Sequence, residues 1–399
     1  MNRDFRLLFA AAAVSKLGTS VGYVAMPLVA VTALHASPGE VGALATLSTV
    51  AFLVIGLPAG VWTDRIRRRG VLVAADVIRA ALLMSVPVAW WFDVLHIGLL
   101  YAVVFVTGIC TVFFDVANQS YLPQVVGRPA LLAANTRLVG MEAVNDIAGR
   151  GVAGYLVALV TAPAAIAVDA VSYLVSAWFV TRVRHVEPAP ERGEARLWRD
   201  MGEGVRFVAR HSVLRAIVLS GSLSNLGIVL VLTMLPVVIV DELRYSAAVL
   251  GLLLACGGVG MLCGSLVARR LATRFGAGRV LLVGTLVVAP CGFGMPFIGG
   301  LPIWVATAGW VVLTAQVGVN NVINVSFRQA VTPDRLLGRV NATFRFLLTG
   351  ALAIGAALAG VLGQAIAPRA ALLAGAVLIA LVWVPTFFSA LRGLRELPA

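Results

Sequence analysis

Apolar residues occupy this chain in long blocks, broken at intervals by short clusters of charge, proline and glycine. The blocks run to about twenty residues or more, and a helix rising about 1.5 Å per residue needs that length to cross a ~30 Å hydrocarbon core. A transmembrane barrel would instead alternate with period two in segments of about ten residues, and no such alternation occurs. The pattern predicts an all-α polytopic membrane protein with twelve transmembrane helices. They fall at 7–33, 41–63, 71–92, 97–117, 131–160, 163–183, 213–240, 247–268, 279–298, 301–325, 339–366 and 370–391, numbered here as spans one to twelve.

The longest polar stretch, "RVRHVEPAPERGEARLWRDMGEGVRFVARH", separates spans six and seven. Its charge, proline and glycine predict a linker containing an amphipathic piece near 197–210. Three parts follow: a six-helix bundle over 1–183, a linker over 184–212 and a second six-helix bundle over 213–399. Arg3 and Arg6 before "LLFAAAAV" imitate a signal peptide, but the apolar block continues to about Ala33, too long for such a segment. It is expected to be a retained first span.

Composition adds orientation. The 399 residues are 60% hydrophobic and 12% charged, with a net charge of +13. That charge does not indicate nucleic acid, because the basic residues sit in clusters between apolar blocks, as topology-setting charge does. Arg65, Arg67, Arg68 and Arg69 follow span two, Arg128 follows span four, and the stretch 184–215 is also arginine-rich. Arg269, Arg270 and Arg274 follow span eight; Arg328 and Arg335 follow span ten. The loops of opposite parity hold little beyond Arg244 and Arg369, so both termini are expected in the cytoplasm. Among 31 basic side chains Lys16 is the single lysine, and it lies inside an apolar block. The arginine- and alanine-rich usage points to a bacterial chain, and hence to a multi-pass protein of the inner membrane.

The two halves echo each other at an offset near half the chain. "GVWTDRIRRRGVLV" (60–73) corresponds to "GSLVARRLATRFGAGRVLLV" (264–283), and "YLPQVVGRPALLAANTRL" (121–138) to "QAVTPDRLLGRVNATFRF" (329–346). Two parallel six-helix repeats with a cavity between them are a transporter architecture.

These residues resemble the major facilitator superfamily. "GVWTDRIRRRGVL" is similar to that family's loop between helices two and three, matching at Gly60, Asp64, Arg65, Arg68 and Arg69, with Arg67 in place of the usual glycine. "VTPDRLLGRVNATFR" and "LPQVV…LLAAN" resemble the branch containing siderophore and drug exporters. The resemblance implies a conformational latch. Asp64 would approach the start of span eleven near Gly338–Asn341, and Arg68 would reach Asp115 at the end of span four. Charge pairing and helix-end capping supply the physics; the plainer alternative is that the arginines only set topology. "GRGVAG" (149–154) is similar to a small-residue exporter motif on helix five, with Arg150 where proline is usual.

The sharpest sequence feature is "MEAVNDIAGR" (141–150), which stacks Glu142, Asp146 and Arg150 at four-residue intervals on one face of span five. Glu142 lies roughly 16 Å into that span, where a charge costs from ~3 kcal/mol upward unless it faces a cavity or a partner. Asp146 is spaced to pair with Arg150, which would leave Glu142 unmatched unless Lys16 reaches it. The resemblance implies that spans one and five are neighbours, which would put Lys16 in range. Asp169, a few residues into span six, is a further membrane carboxylate. Three uses stay open for Glu142: a proton carrier, a permanently paired structural charge, or a contact for a charged substrate. Asp76 and Arg79, three apart on span three, are expected to pair.

By the same resemblance, spans one, four, seven and ten line the substrate cavity. They offer Ser20 and Tyr23, Phe113 and Phe114, Ser224 and Asn225, and the stripe Gln316, Asn320 and Asn324. Amides mixed with aromatics suit a small amphipathic organic substrate, although interhelical hydrogen bonding is an equal reading of the stripe. "GGVGMLCG" (257–264) is a packing face rather than a nucleotide motif, and no Walker sequence, nucleophile constellation or metal-ligand spacing is present. Cys110, Cys256, Cys263 and Cys291 read as buried thiols. The expectation is therefore a non-enzymatic, cofactor-free, monomeric secondary transporter. It would exchange protons for drug-like or secondary-metabolite molecules in an efflux direction. An importer or uniporter of a small metabolite, and a transport-inactive membrane receptor or scaffold, are the alternatives.

Overall fold

The computed structural model describes residues 3–64, 66–127, 130–185, 187 and 197–393. Among the described residues, twelve helices are long and apolar enough to cross a membrane: Arg3–Ala33, Pro38–Gly56, Arg68–Trp91, Ile97–Val126, Ala133–Val160, Ala162–Thr181, Ser212–Glu242, Ala247–Phe275, Ala277–Gly294, Ile303–Val331, Leu336–Ala365 and Pro368–Phe387. They are spans one to twelve in the same order. No strand occurs among the described residues, only an isolated bridge between Ile298 and Leu301. A thirteenth helix, Leu197–Arg210, is the amphipathic piece of the linker.

The helix ends have local causes. Span two begins at "SPGE", where Ser37 and Glu40 form a capping box. The Ser37 amide donates to Glu40 Oε2 at 2.8 Å, the Glu40 amide donates to Ser37 Oγ at 3.4 Å, and Pro38 opens the helix. Spans five and six are joined by the single residue Thr161, whose φ of 87° and ψ of 154° belong to a region normally left to glycine. Span nine is irregular. After a π-turn at Val280–Gly284, its end tightens into a 3-10 turn at Ala289–Gly294, which includes Pro290.

The chain divides into two compact units, Met1–Ala195 with Ile239–Ala255, and Arg196–Val238 with Cys256–Ala399. In the first, span one packs on spans five and six, span three on four and six, and span two on four. In the second, span seven packs on eleven and twelve, the same pairings displaced by six helices. Lipid gives helices no hydrophobic reason to associate, so close van der Waals approach must do it. Small residues provide that approach: a Cβ at Gly264 of span eight would lie 1.8 Å from the Ala315 carbonyl oxygen of span ten.

Each unit has its own apolar core. In the first, Leu8, Leu72, Phe114 and Tyr121 cluster. In the second, Leu214, Phe327 and Phe344 cluster, and Val208 brings the linker helix into that core. The linker helix is fixed further by an ion pair between Glu203 and Arg339, and by Gly204, where an added Cβ would sit 2.7 Å from the Arg339 carbonyl oxygen.

Candidate functional site

Three groups of polar side chains in the first unit carry chemistry. The first is on the facing sides of spans one and five. Lys16 Nζ lies 3.5 Å from Glu142 Oε1, with each side chain about half exposed (47% and 50%). One turn further along, the helix of span five widens into a π-turn over Asn145–Gly149, a local expansion that often marks functional positions. The turn is stitched to span one: Ser20 Oγ lies 3.4 Å from the Asn145 carbonyl, and Asn145 Nδ2 lies 3.5 Å from the Ala13 carbonyl. Gly149 is required there, because a Cβ would fall 2.7 Å from Ser20 Cβ. Arg150 lies over the Tyr23 ring at 5.3 Å, and Tyr23 is 48% exposed. The site therefore presents an acid, two bases and an aromatic ring on one accessible face. The Asp146 side chain lies outside the described residues.

The second group is buried where spans one, three, four and six meet. Asp76 and Arg79 form a buried ion pair, with Arg79 also donating to Thr111 Oγ1 at 3.4 Å. The guanidinium is sandwiched by Phe114 at 4.5 Å and Tyr173 at 4.2 Å. Tyr173 OH meets Thr19 Oγ1 at 2.9 Å; Thr19 already donates to the Ser15 carbonyl, so the tyrosine is the donor. Asp169 completes the group. It is 3% exposed and lies against Gly18 and Gly22 of span one.

The third group is the loop before span three. The Arg68 and Arg69 amides donate to the two oxygens of Glu187, at 2.6 and 2.7 Å, so a linker carboxylate caps the first turn of span three. Arg69 also donates to the Thr181 carbonyl at the end of span six. Gly60 lies in the helix Pro38–Asp64, and Asp115 in span four. Arg65 and the Asp64 side chain lie outside the described residues. Glu187 was not among the residues expected here. It is one of five acids interspersed with six arginines in the 184–212 linker, and nothing in the spacing links it to span three.

The expected cavity residues separate into different environments. Ser20 is on the span one–five seam, and Phe113 stacks on Trp62 at 6.0 Å. Phe114 is buried against Arg79 rather than facing open space. Asn225 donates to the Leu348 carbonyl of span eleven at 3.1 Å. Gln316 donates to Asn320 at 2.9 Å and to the Val280 carbonyl at 3.3 Å, and Asn320 donates to Thr285 at 3.1 Å. Those two amides are thus spent binding span ten to span nine, the structural one of the two readings. Asn324 lies one turn further along span ten and is partly buried.

Comparison with known proteins agrees with this architecture. The family model described as transmembrane secretion effector matches residues 1–397. The chain is 21% identical over 355 residues to the MFS-type transporter YkuC of Bacillus subtilis, covering 85% of this chain and 81% of that one. It is 26% identical over 378 residues to the enterobactin exporter EntS of Escherichia coli, covering 92% and 86%. A bacterial homologue of the iron transporter ferroportin, solved in an inward-facing state, superposes with a TM-score of 0.76 at 16% identity, over 96% and 98% of the two chains. The nucleoside transporter NupG gives 0.79 at 11%, over 97% and 100%. The matched span of the family model is nearly the whole chain, and the chain belongs to the transmembrane secretion effector family of major facilitator superfamily transporters.

Proposed function

We propose that this transporter exports a small amphipathic organic molecule in exchange for protons, by alternating access. The observation that carries the reading is the accessible face where Lys16, Glu142, Tyr23 and Arg150 converge beside a π-turn. Charges held at mid-membrane depth belong to substrate or ion pathways. An aromatic ring beside them suits an organic molecule with an apolar body and polar edges. The name of the relative EntS supports the direction of transport and the class of cargo. The membrane is the bacterial inner membrane, with both termini in the cytoplasm, which the arginine distribution supports. The protein works as a monomer in this reading.

The test is accumulation of a fluorescent amphipathic cation such as ethidium in cells with and without the transporter, before and after addition of a protonophore. The transporter should lower accumulation, and collapse of the proton gradient should abolish that difference. Efflux that survives the protonophore overturns the coupling, and unchanged accumulation across several amphipathic probes overturns the export reading.

A further inference from the structure

We propose that Asp169, held in a slot made by Gly18 and Gly22 of span one, is the carboxyl group that binds and releases the transported proton. This inference rests on the proton-coupled reading above and assigns its proton to one group.

The slot is specific. A Cβ on Gly22 would lie 2.2 Å from Asp169 Oδ2, and one on Gly18 would lie 2.7 Å from Asp169 Oδ1 and 1.9 Å from Ser172 Oγ. Both carboxylate oxygens therefore occupy space that any other residue on span one would fill. Ser172 Oγ is bonded to the Asp169 carbonyl at 2.7 Å and lies 3.5 Å from Oδ1. This leaves the carboxylate with weak hydrogen-bonding compensation.

Charge balance then decides what the group does. Span six packs on spans one, three and five. From span three the charged groups facing this region are Asp76 and Arg79; from span one, Thr19 supplies a hydroxyl; span six itself supplies Tyr173. On span five, Arg150 is turned to Tyr23 and Glu142 to Lys16. Among the described residues the buried set thus holds two carboxyl groups and one guanidinium, and that guanidinium is already paired with Asp76. With all three ionised, one negative charge would be left inside the bundle, which costs several kcal/mol by the usual scale for uncompensated buried ions. A proton on Asp169 removes the imbalance. Glu142 has no such deficit, since Lys16 stands beside it.

Access is built in as well. Asp169 rests on span one, the helix that also carries the accessible Lys16 and Tyr23. Thr19, between the two slot glycines, is exposed and joined to buried Tyr173. A small shift of span one against span six would open the slot to water on the substrate side. Proton release at that moment would leave the charge solvated, and reclosure would require a proton again.

The experiment uses the purified full-length protein in lipid nanodiscs, followed by infrared difference spectroscopy on a pH jump. A protonated-carboxyl C=O band that shifts in heavy water is expected in the wild type, lost in Asp169→Asn and kept in Glu142→Gln. Gly22→Ala, which keeps the carboxyl but crowds it, should move the band in frequency. In proteoliposomes with ethidium as probe, Asp169→Asn should lose accumulation driven by a pH gradient while retaining equilibration down the ethidium gradient. A band unchanged in Asp169→Asn, or one abolished by Glu142→Gln, overturns the assignment. If wild-type accumulation ignores the pH gradient, the coupling reading fails instead, while the band still reports whether Asp169 takes up a proton. Misfolding of Asp169→Asn leaves the Gly22→Ala shift as the deciding measurement, and an unmoved band there overturns the proposal.

Discussion

Arg79 is held in three ways at once: an ion pair with Asp76, a hydrogen bond to Thr111, and stacking between the Phe114 and Tyr173 rings. A buried pair of this kind gains little over a well-packed apolar pair, but removing one partner strands the other. Asp76→Ala should therefore cost about 3–5 kcal/mol, whereas Asp76→Leu combined with Arg79→Met should cost much less. Thermal unfolding of the detergent-solubilised variants, followed by intrinsic tryptophan fluorescence, measures the difference. Equal losses in the single and double variants would mean that the pair has a role beyond charge balance. The pairing itself was legible from the three-residue spacing, whereas Lys16 with Glu142 was within reach only through the family resemblance, which makes spans one and five neighbours. The slot at Gly18 and Gly22 was not legible. It depends on which turn of span six lies against which turn of span one, and two glycines among forty carry no register information. The amide stripe was visible but ambiguous, since Gln316 and Asn320 have the same periodicity whether they face a cavity or the neighbouring helix.

At the level of elements, all twelve spans follow from apolar block length, and the linker helix lies where the amphipathic piece was expected. Their ends depend on finer chemistry. Span four continues to Val126, well past the end of its most apolar stretch, because "NQSYLPQVV" keeps helical geometry through Pro123. Thr161 pays for the abrupt reversal between spans five and six with a backbone conformation that disfavours any side chain. Thr161→Gly should relieve about 1–3 kcal/mol of that strain, raising the unfolding temperature; a lowered one would mean the threonine side chain makes up the difference. Glu187 binds the linker to the first turn of span three through two amides. Glu187→Gln keeps the shape but removes the charge facing the helix dipole, at a cost of about 1 kcal/mol. Hydrogen exchange at the Arg68 and Arg69 amides should accelerate, and Glu187→Ala should accelerate it further. Unchanged exchange would show that the cap is not formed in the membrane.

Across the molecule, the pairings of spans one, five and six recur at spans seven, eleven and twelve, but the chemistry does not recur with them. The first unit holds the ion pairs Asp76–Arg79 and Lys16–Glu142 and the buried Asp169. The second holds the Glu203–Arg339 pair at its linker helix and Arg328 over the Phe344 ring, but its described contacts between spans also include hydroxyls and amides, such as Ser220 with Thr386 at 3.3 Å and the Gln316–Asn320–Thr285 chain. A duplicated scaffold whose buried carboxylates, among the described residues, are all in the first unit predicts an unequal tolerance to mutation. Neutralising the interior carboxylates of the first unit should abolish gradient-driven efflux of ethidium, while Asn320→Ala should lower stability with transport largely kept. Measured efflux rates normalised to protein in the membrane separate the two, and equal loss of transport in both would argue that both units handle protons or cargo.

Lys16 has one further consequence, because it is the only lysine in 399 residues and stands half exposed against Glu142. An amine-directed reagent small enough to enter the protein has a single side-chain target, and that target is the centre of the accessible face. Labelling yield at Lys16 becomes a built-in occupancy meter. Cargo that sits over Tyr23 and Arg150 should shield the amine in proportion to its affinity, so unlabelled candidate molecules can be ranked by competition without knowing in advance what the transporter carries.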